Sequence, residues 1–306
     1  MIKIAIAGTS GLAQYIAHYL STQTYHQFVF LSRKPNPGLT AKGWQVIPVD
    51  YGRSDDLCYK LTGVDTVIST ISGQPQIALI DAAAQVHVRR FVPSEFEGRP
   101  TMRPASDILD RGKKAALSRL QYYRNYGMEY AVFVCGVLYE RFAPGGMGAF
   151  QIGHGTYVAG EGDYLMDIRN MTAQIPYYDS AGQEVHICMT SAQDVARFVV
   201  AALDLSEWPS EFRMRGERMA LSDVVRVAEI MRGVPFNRIV HTEESLQSCL
   251  SFAKAVGNMP EQWRLHQLLA TVAGRYDFDS PNLNGMVDVQ PIRFQDWLYA
   301  AWSQSP

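Results

Sequence analysis

Cysteine is scarce in this chain. Cys58, Cys135, Cys188 and Cys249 are scattered over 306 residues, and no C-x-x-C pair occurs. That pattern argues against a disulfide framework and reads as reduced, mostly buried thiols. Excess charge of either sign is missing too. Lys and Arg number 28 against 30 Asp and Glu, a net charge of −2. No basic field exists to hold nucleic acid by bulk electrostatics. No apolar run approaches the roughly 18 residues that would cross a membrane. The first apolar alternation starts at Ile2 with no leader pattern ahead of it, so a soluble, cytoplasmic protein is expected. Repeats, low-complexity tracts and metal-ligand spacings are also absent. What remains, 47% apolar and 19% charged residues, is the composition of an ordinary globular chain with one large core or two modest ones.

The richest stretch is the first fourteen residues. Ile2–Ala7 reads as a buried strand, Gly8-Thr-Ser-Gly11 as a tight turn, and Leu12-Ala13-Gln14 onward to Leu20 as a helix. Strand, glycine turn and helix together aim backbone N–H groups and a positive helix end at a pyrophosphate. The third glycine of the dinucleotide fingerprint is replaced by Ala13-Gln14; alanine still permits close helix–strand packing.

Further strands are expected at 27–33, 44–50, 65–70, 90–93 and 130–135, with helices near 54–62, 74–88 and 107–126. This alternation predicts an α/β fold: a Rossmann-type doubly wound parallel sheet over residues 1–142, with 184–204 returning to it. Residues 143–163 carry seven glycines, which no regular helix tolerates. They are expected to lead, as flexible loop and turns, into a smaller C-terminal α+β substrate domain, 143–306. There a strand is expected at 185–189, and helices at 192–203, 220–232, 243–256 and 260–272.

Several residues fall where a dinucleotide would lie. Arg33 and Lys34 end the second strand, where an acid would bind an NAD ribose and arginine suits the NADP 2′-phosphate. Lys42 is a weaker phosphate candidate. Asp50 and Tyr51, ending the third strand, could border the adenine. Thr70, Ile71 and Ser72 follow the fourth strand at the carboxyl edge, where open α/β sheets bind ligands. Ser94 and Phe96 follow the fifth at the same edge. His154 and the numerous mid-chain tyrosines are explained as well by exposure and packing as by chemistry.

The run Arg89-Arg-Phe-Val-Pro-Ser-Glu-Phe96 resembles the RF-x-PSEF signature of NmrA-like and isoflavone-reductase-like proteins, atypical members of the short-chain dehydrogenase superfamily. Gly8–Gly11, Val64–Ile68, Tyr130–Phe133 and Phe198–Arg218 are similar to fungal NmrA-like proteins. The resemblance implies an NADP-binding Rossmann domain, a small substrate domain, Phe96 near the nicotinamide, and Cys135 lining the nicotinamide pocket. The Tyr-x-x-x-Lys pair of ordinary short-chain dehydrogenases is absent: none of the seven lysines has a tyrosine four residues before it. In isoflavone-reductase-like enzymes a lysine on the helix after the PSEF strand takes that role. Lys114, in Lys114-Ala-Ala-Leu-Ser-Arg119, aligns best with it, and a longer spacing to Gly127 leaves Lys113 open. The expected function is NADPH-dependent reduction of a small aromatic or polyketide-like secondary metabolite. The alternatives are a non-catalytic NADP(H)-sensing regulator of a partner protein and a redox-neutral isomerase or cyclase. The expected partner is a small molecule, and a homodimer or a regulatory protein partner stays open.

Overall fold

The computed structural model describes residues 1–303. The chain forms two compact units, each drawn from separate stretches of sequence. The first comprises Met1–Phe96, Asp110–Val134 and Ala196–Phe212; the second, Glu97–Leu109, Cys135–Val195 and Arg213–Pro306.

The first unit runs β1 Lys3–Ala7, α1 Gly11–Gln23, β2 Gln27–Ser32, α2 Pro37–Thr40, β3 Val46–Pro48, α3 Ser54–Leu61, β4 Thr66–Ser69, α4 Gln74–Gln85, β5 Arg90–Val92, α5 Lys113–Arg124, β6 Glu129–Tyr130 and β7 Val132–Val134. Six strands form one sheet in the order β3-β2-β1-β4-β5-β6, all parallel. This is the doubly wound order, whose ligand-binding edge lies beyond the strand carboxyl ends. Ile4, Ala5, Ile6 and Ala7 are all fully buried, as a central strand covered by helices on both faces requires. Helix α1 packs Leu12, Ile16 and Leu20 inward with Ala13 and Ala17, a stripe at helical spacing.

The returning segment 196–212 is locked onto the sheet by Arg90. This arginine is 1% exposed, pairs with Glu129 at 2.7 Å and donates to the carbonyls of Leu203 and Ser206. Its guanidinium stacks 4.6 Å from the Trp208 ring. Each of the three guanidinium nitrogens of this buried charge thereby has an acceptor.

The second unit contains the larger share of the chain. It continues with β8 Val137–Leu138, α6 Gly146–Ala149, β9 Met166–Asp167, β10 Thr172–Ile175, β11 His186–Thr190, α7 Ala192–Ala202 (which runs on into the first unit), β12 Glu211–Arg213 (all but its last residue in the first unit), β13 Glu217–Ala220, α8 Leu221–Arg232, β14 Asn237–Val240, α9 Glu243–Ala255, α10 Met259–Val272, α11 Asn282–Met286 and α12 Phe294–Trp302. Its two three-stranded sheets are ordered β13-β11-β8 and β14-β10-β9. Segment 97–109 belongs here because buried Arg275 pairs with Glu97 at 2.9 Å and Asp107 at 2.7 Å, and Arg103 pairs with Glu97.

Three expectations need correction. The strand expected over 130–135 is divided: β6 joins β5, while Val132 turns away to donate to the Ser210 carbonyl at 3.0 Å, and β7 pairs with β12. The helix expected over 107–126 begins only at Lys113, because Arg111 (φ 52°) and Gly112 (φ 82°) take left-handed conformations that end a turn rather than continue a helix. The glycine-rich stretch is not entirely irregular, since Gly146–Ala149 forms one helical turn.

Candidate functional site

The glycine turn after β1 is built around Gly8. Its φ of 101° lies in the region open to glycine, and a Cβ there would come 2.4 Å from Thr70 Oγ1. Thr70 is itself pinned, its N–H and hydroxyl both bonded to the Ala7 carbonyl. The turn therefore hugs the end of β4. Ser10 then caps α1 by backbone geometry alone, with no side-chain hydrogen bond and no acid in the first turn. The N–H groups and positive end of this 13-residue helix remain available to an anion. Leu12 and Ala13 are buried in the core, so only their backbone can serve a ligand. Gln14 does not reach outward: its amide donates to the Thr9 carbonyl at 3.1 Å, and its oxygen accepts from Lys42 Nζ at 3.1 Å.

Positive charge gathers at the far end of this turn. Arg33 and Lys34 are exposed just past β2, and Lys42 is tied to the glycine loop through Gln14. Tyr51 is buried, its hydroxyl donating to the Leu31 carbonyl. Burial pushes that phenol above its ordinary range, partly offset by the nearby Arg33 charge. The hydroxyl is thus committed to the sheet and is not presented to a ligand. Asp50 is exposed and holds the turn by accepting from the Gly52 N–H at 2.9 Å.

The PSEF run lies past β5, at the same sheet edge. Ser94 N–H is held at 2.7 Å by the side-chain oxygen of Gln76, which is 1% exposed. Phe96 is half-buried, its ring 6.3 Å from that of Phe133. Glu95 is 1% exposed, and Lys113 Nζ lies 3.9 Å from its Oε1. Lys113 opens α5, where the Asp110 carboxylate accepts from the N–H groups of Gly112 and Lys114. Gly112 is required there, since a Cβ would press to 3.1 Å on the Gly73 backbone. The side chain of Lys114 is exposed. The structure therefore brings Lys113, and not Lys114, against the PSEF segment. Sequence reasoning gave no role to Glu95, Gln76 or Asp110. Glu95 stood inside a recognised motif, whereas Gln76 carried no signal at all. Ile71 and Ser72 are half-buried beside Thr70.

Within the second unit the Cys135 thiol is buried, its carbonyl accepting from Thr190 Oγ1 at 2.8 Å and its N–H donating to the Glu97 carbonyl at 3.0 Å. His154 is exposed. Among the described residues no three His, Cys, Asp or Glu side chains gather as metal ligands, and no helix is long and apolar enough to cross a membrane.

The NmrA-like family profile matches residues 2–273. The chain belongs to the NmrA-like family. This NmrA-like protein is 29% identical over 253 residues to the oxidoreductase BOA1 of Botryotinia fuckeliana, covering 76% of this chain and 77% of that relative. It is 31% identical over 147 residues to the oxidoreductase aprR of Aspergillus flavus, covering 45% of this chain and half of that protein. Its fold matches the NADPH-dependent quinone oxidoreductase QOR2 of Escherichia coli with a TM-score of 0.73 at 16% identity, covering 98% and 99% of the two chains. It also matches leucoanthocyanidin reductase of Vitis vinifera, solved as a binary complex with NADPH, at 0.71 and 16% identity over 99% and 100%.

Proposed function

We propose that this NmrA-like protein is an NADPH-dependent reductase of a small aromatic or polyketide-like metabolite. The observation that carries the reading is the Lys113 ammonium held beside the buried Glu95 carboxylate at the ligand-binding edge of the sheet. The cofactor fits the residues present. The Gly8 turn packs so closely on Thr70 and Ile71 that no Cβ is admitted, the first turn of α1 offers uncapped N–H groups, and Arg33, Lys34 and Lys42 supply cations suited to a 2′-phosphate. The name of BOA1 as an oxidoreductase supports redox chemistry, and NADPH complexes on the same fold support the cofactor.

When bound, NADPH supplies the two electrons and hydrogen that reduce an electrophilic carbon. The chain's own groups do the rest. Lys113 stabilises negative charge developing on the substrate oxygen and donates a proton to it from Nζ. The Glu95 carboxylate, 3.9 Å from that ammonium, orients it at the sheet edge. Phe96 supplies an apolar wall.

Titration with NADPH and NADH, followed by nicotinamide fluorescence, tests this reading. NADPH should bind more tightly than NADH, and Arg33→Ala should weaken NADPH about tenfold while leaving NADH unchanged. Absence of binding would remove the reductase reading. Binding without turnover over a panel of carbonyls, enones and quinones would leave a sensor.

A further inference from the structure

The first unit carries a cavity of about 560 Å³ lined by Ala84–Gln85, His87–Arg89, Tyr122–Tyr123 and Tyr126–Met128. These residues precede β5 and β6 in a parallel sheet. They therefore lie at its amino edge, opposite the Gly8, Thr70 and Ser94 turns. We propose that this cavity is a second ligand site, for a planar aromatic molecule that is uncharged or cationic.

Its walls arise from two helix endings of the same design. At the end of α4, Val88 N–H bonds the Ala83 carbonyl and His87 N–H the Ala84 carbonyl. At the end of α5, Met128 N–H bonds the Tyr123 carbonyl and Gly127 N–H the Arg124 carbonyl. Each is a Schellman ending, which calls for a left-handed residue, usually glycine, followed by an apolar one. Val88 and Met128 are the apolar residues, 2% and 4% exposed, and they floor the cavity. Gly127 supplies one left-handed position (φ 94°). The other is His87, with φ 58°, a conformation glycine would adopt without strain. Strain kept at a cavity rim points to a role for the side chain there.

Three tyrosines complete the wall. Tyr122 stands 5.2 Å from Tyr123 and 5.1 Å from Tyr126, ring centre to ring centre. Tyr122 and Tyr126 remain 51% and 71% exposed. Tyr123 is anchored through its hydroxyl to Asp81. Arg89 is held by a two-pronged pair with Asp65, at 2.9 and 3.1 Å, which offsets its charge, and its side chain stays 44% exposed. A flat aromatic molecule suits these surfaces, and the volume matches ordinary small-molecule sites. The negative ends of α4 and α5 both meet here, and tyrosine faces attract cations, which disfavours an anion.

Proflavine, a planar fluorescent cation, is the probe, used on the whole protein with NADPH present at saturation. One proflavine should bind per chain. Tyr122→Ala and Tyr126→Ala should each weaken it about fivefold with melting temperature unchanged. Anthracene-9-carboxylate should bind at least about fivefold more weakly than proflavine. His87→Gly should raise the melting temperature while weakening the probe. The proposal fails if proflavine does not saturate below about 1 mM, if NADPH displaces it, or if the tyrosine variants bind it unchanged. It fails equally if the carboxylate binds as tightly, or if sedimentation shows a dimer that Tyr126→Ala dissociates.

Discussion

Lys113 and Lys114 are chain neighbours with opposite surroundings. Lys113 is 13% exposed beside a carboxylate that is 1% exposed, while Lys114 points to solvent from the same helix turn. Adjacent helical positions diverge by about 100°, so only one can face the PSEF segment. Lys113→Met should lower turnover at least about a hundredfold with NADPH affinity retained, whereas Lys114→Met should stay within about twofold. Steady-state kinetics with NADPH binding measured in parallel decides this, and a larger loss for Lys114→Met would reverse the assignment. The motif-bearing residues were legible in the chain. The choice between two consecutive lysines was not, because it depends on where Asp110 and Gly112 start the helix.

At the scale of elements, the strand and helix sites of the first unit follow from alternation and glycine position. The partner of each strand does not. Tyr130–Cys135 reads as one apolar strand, yet its two halves pair with different neighbours; buried apolar runs look alike whichever ladder they join. The segment 196–212 shows the same limit, since its tie to β5 runs through one buried arginine that local pattern cannot reveal. Arg90→Ala should destabilise the fold by about 3 kcal/mol, leaving two carbonyls without their donor and a space beside Trp208. Urea unfolding gives that number. Hydrogen exchange should show residues 196–212 losing protection before the central strands, and uniform loss of protection would argue against the tie.

The stability of the molecule as a whole should carry a pH signature from Glu140. This side chain is fully buried and accepts from the Ala192 N–H at 2.9 Å. Burial pushes its carboxyl up from 4.5 to about 7; the Ala192 bond opposes the rise and the Asp194 charge adds to it. Between those two pH values the folded protein keeps a proton that the unfolded chain has released. Stability therefore falls as pH rises through that window, by up to about 3 kcal/mol, and levels off above it. Glu140→Gln keeps the acceptor and removes the titration. It should match the parent near the acid end and exceed it at pH above 7. Parallel unfolding curves for the two proteins would rule this out.

The Arg90 tie also bears on how the protein is made. Its acceptors at Leu203 and Ser206 follow it by 113 and 116 residues. At about 5–20 residues per second, a ribosome takes roughly 6 to 23 seconds to deliver them. For that interval the nascent chain holds an apolar sheet edge and a guanidinium with only Glu129 to pair it, so the first unit, although it begins the chain, is not complete until residue 212 has been made.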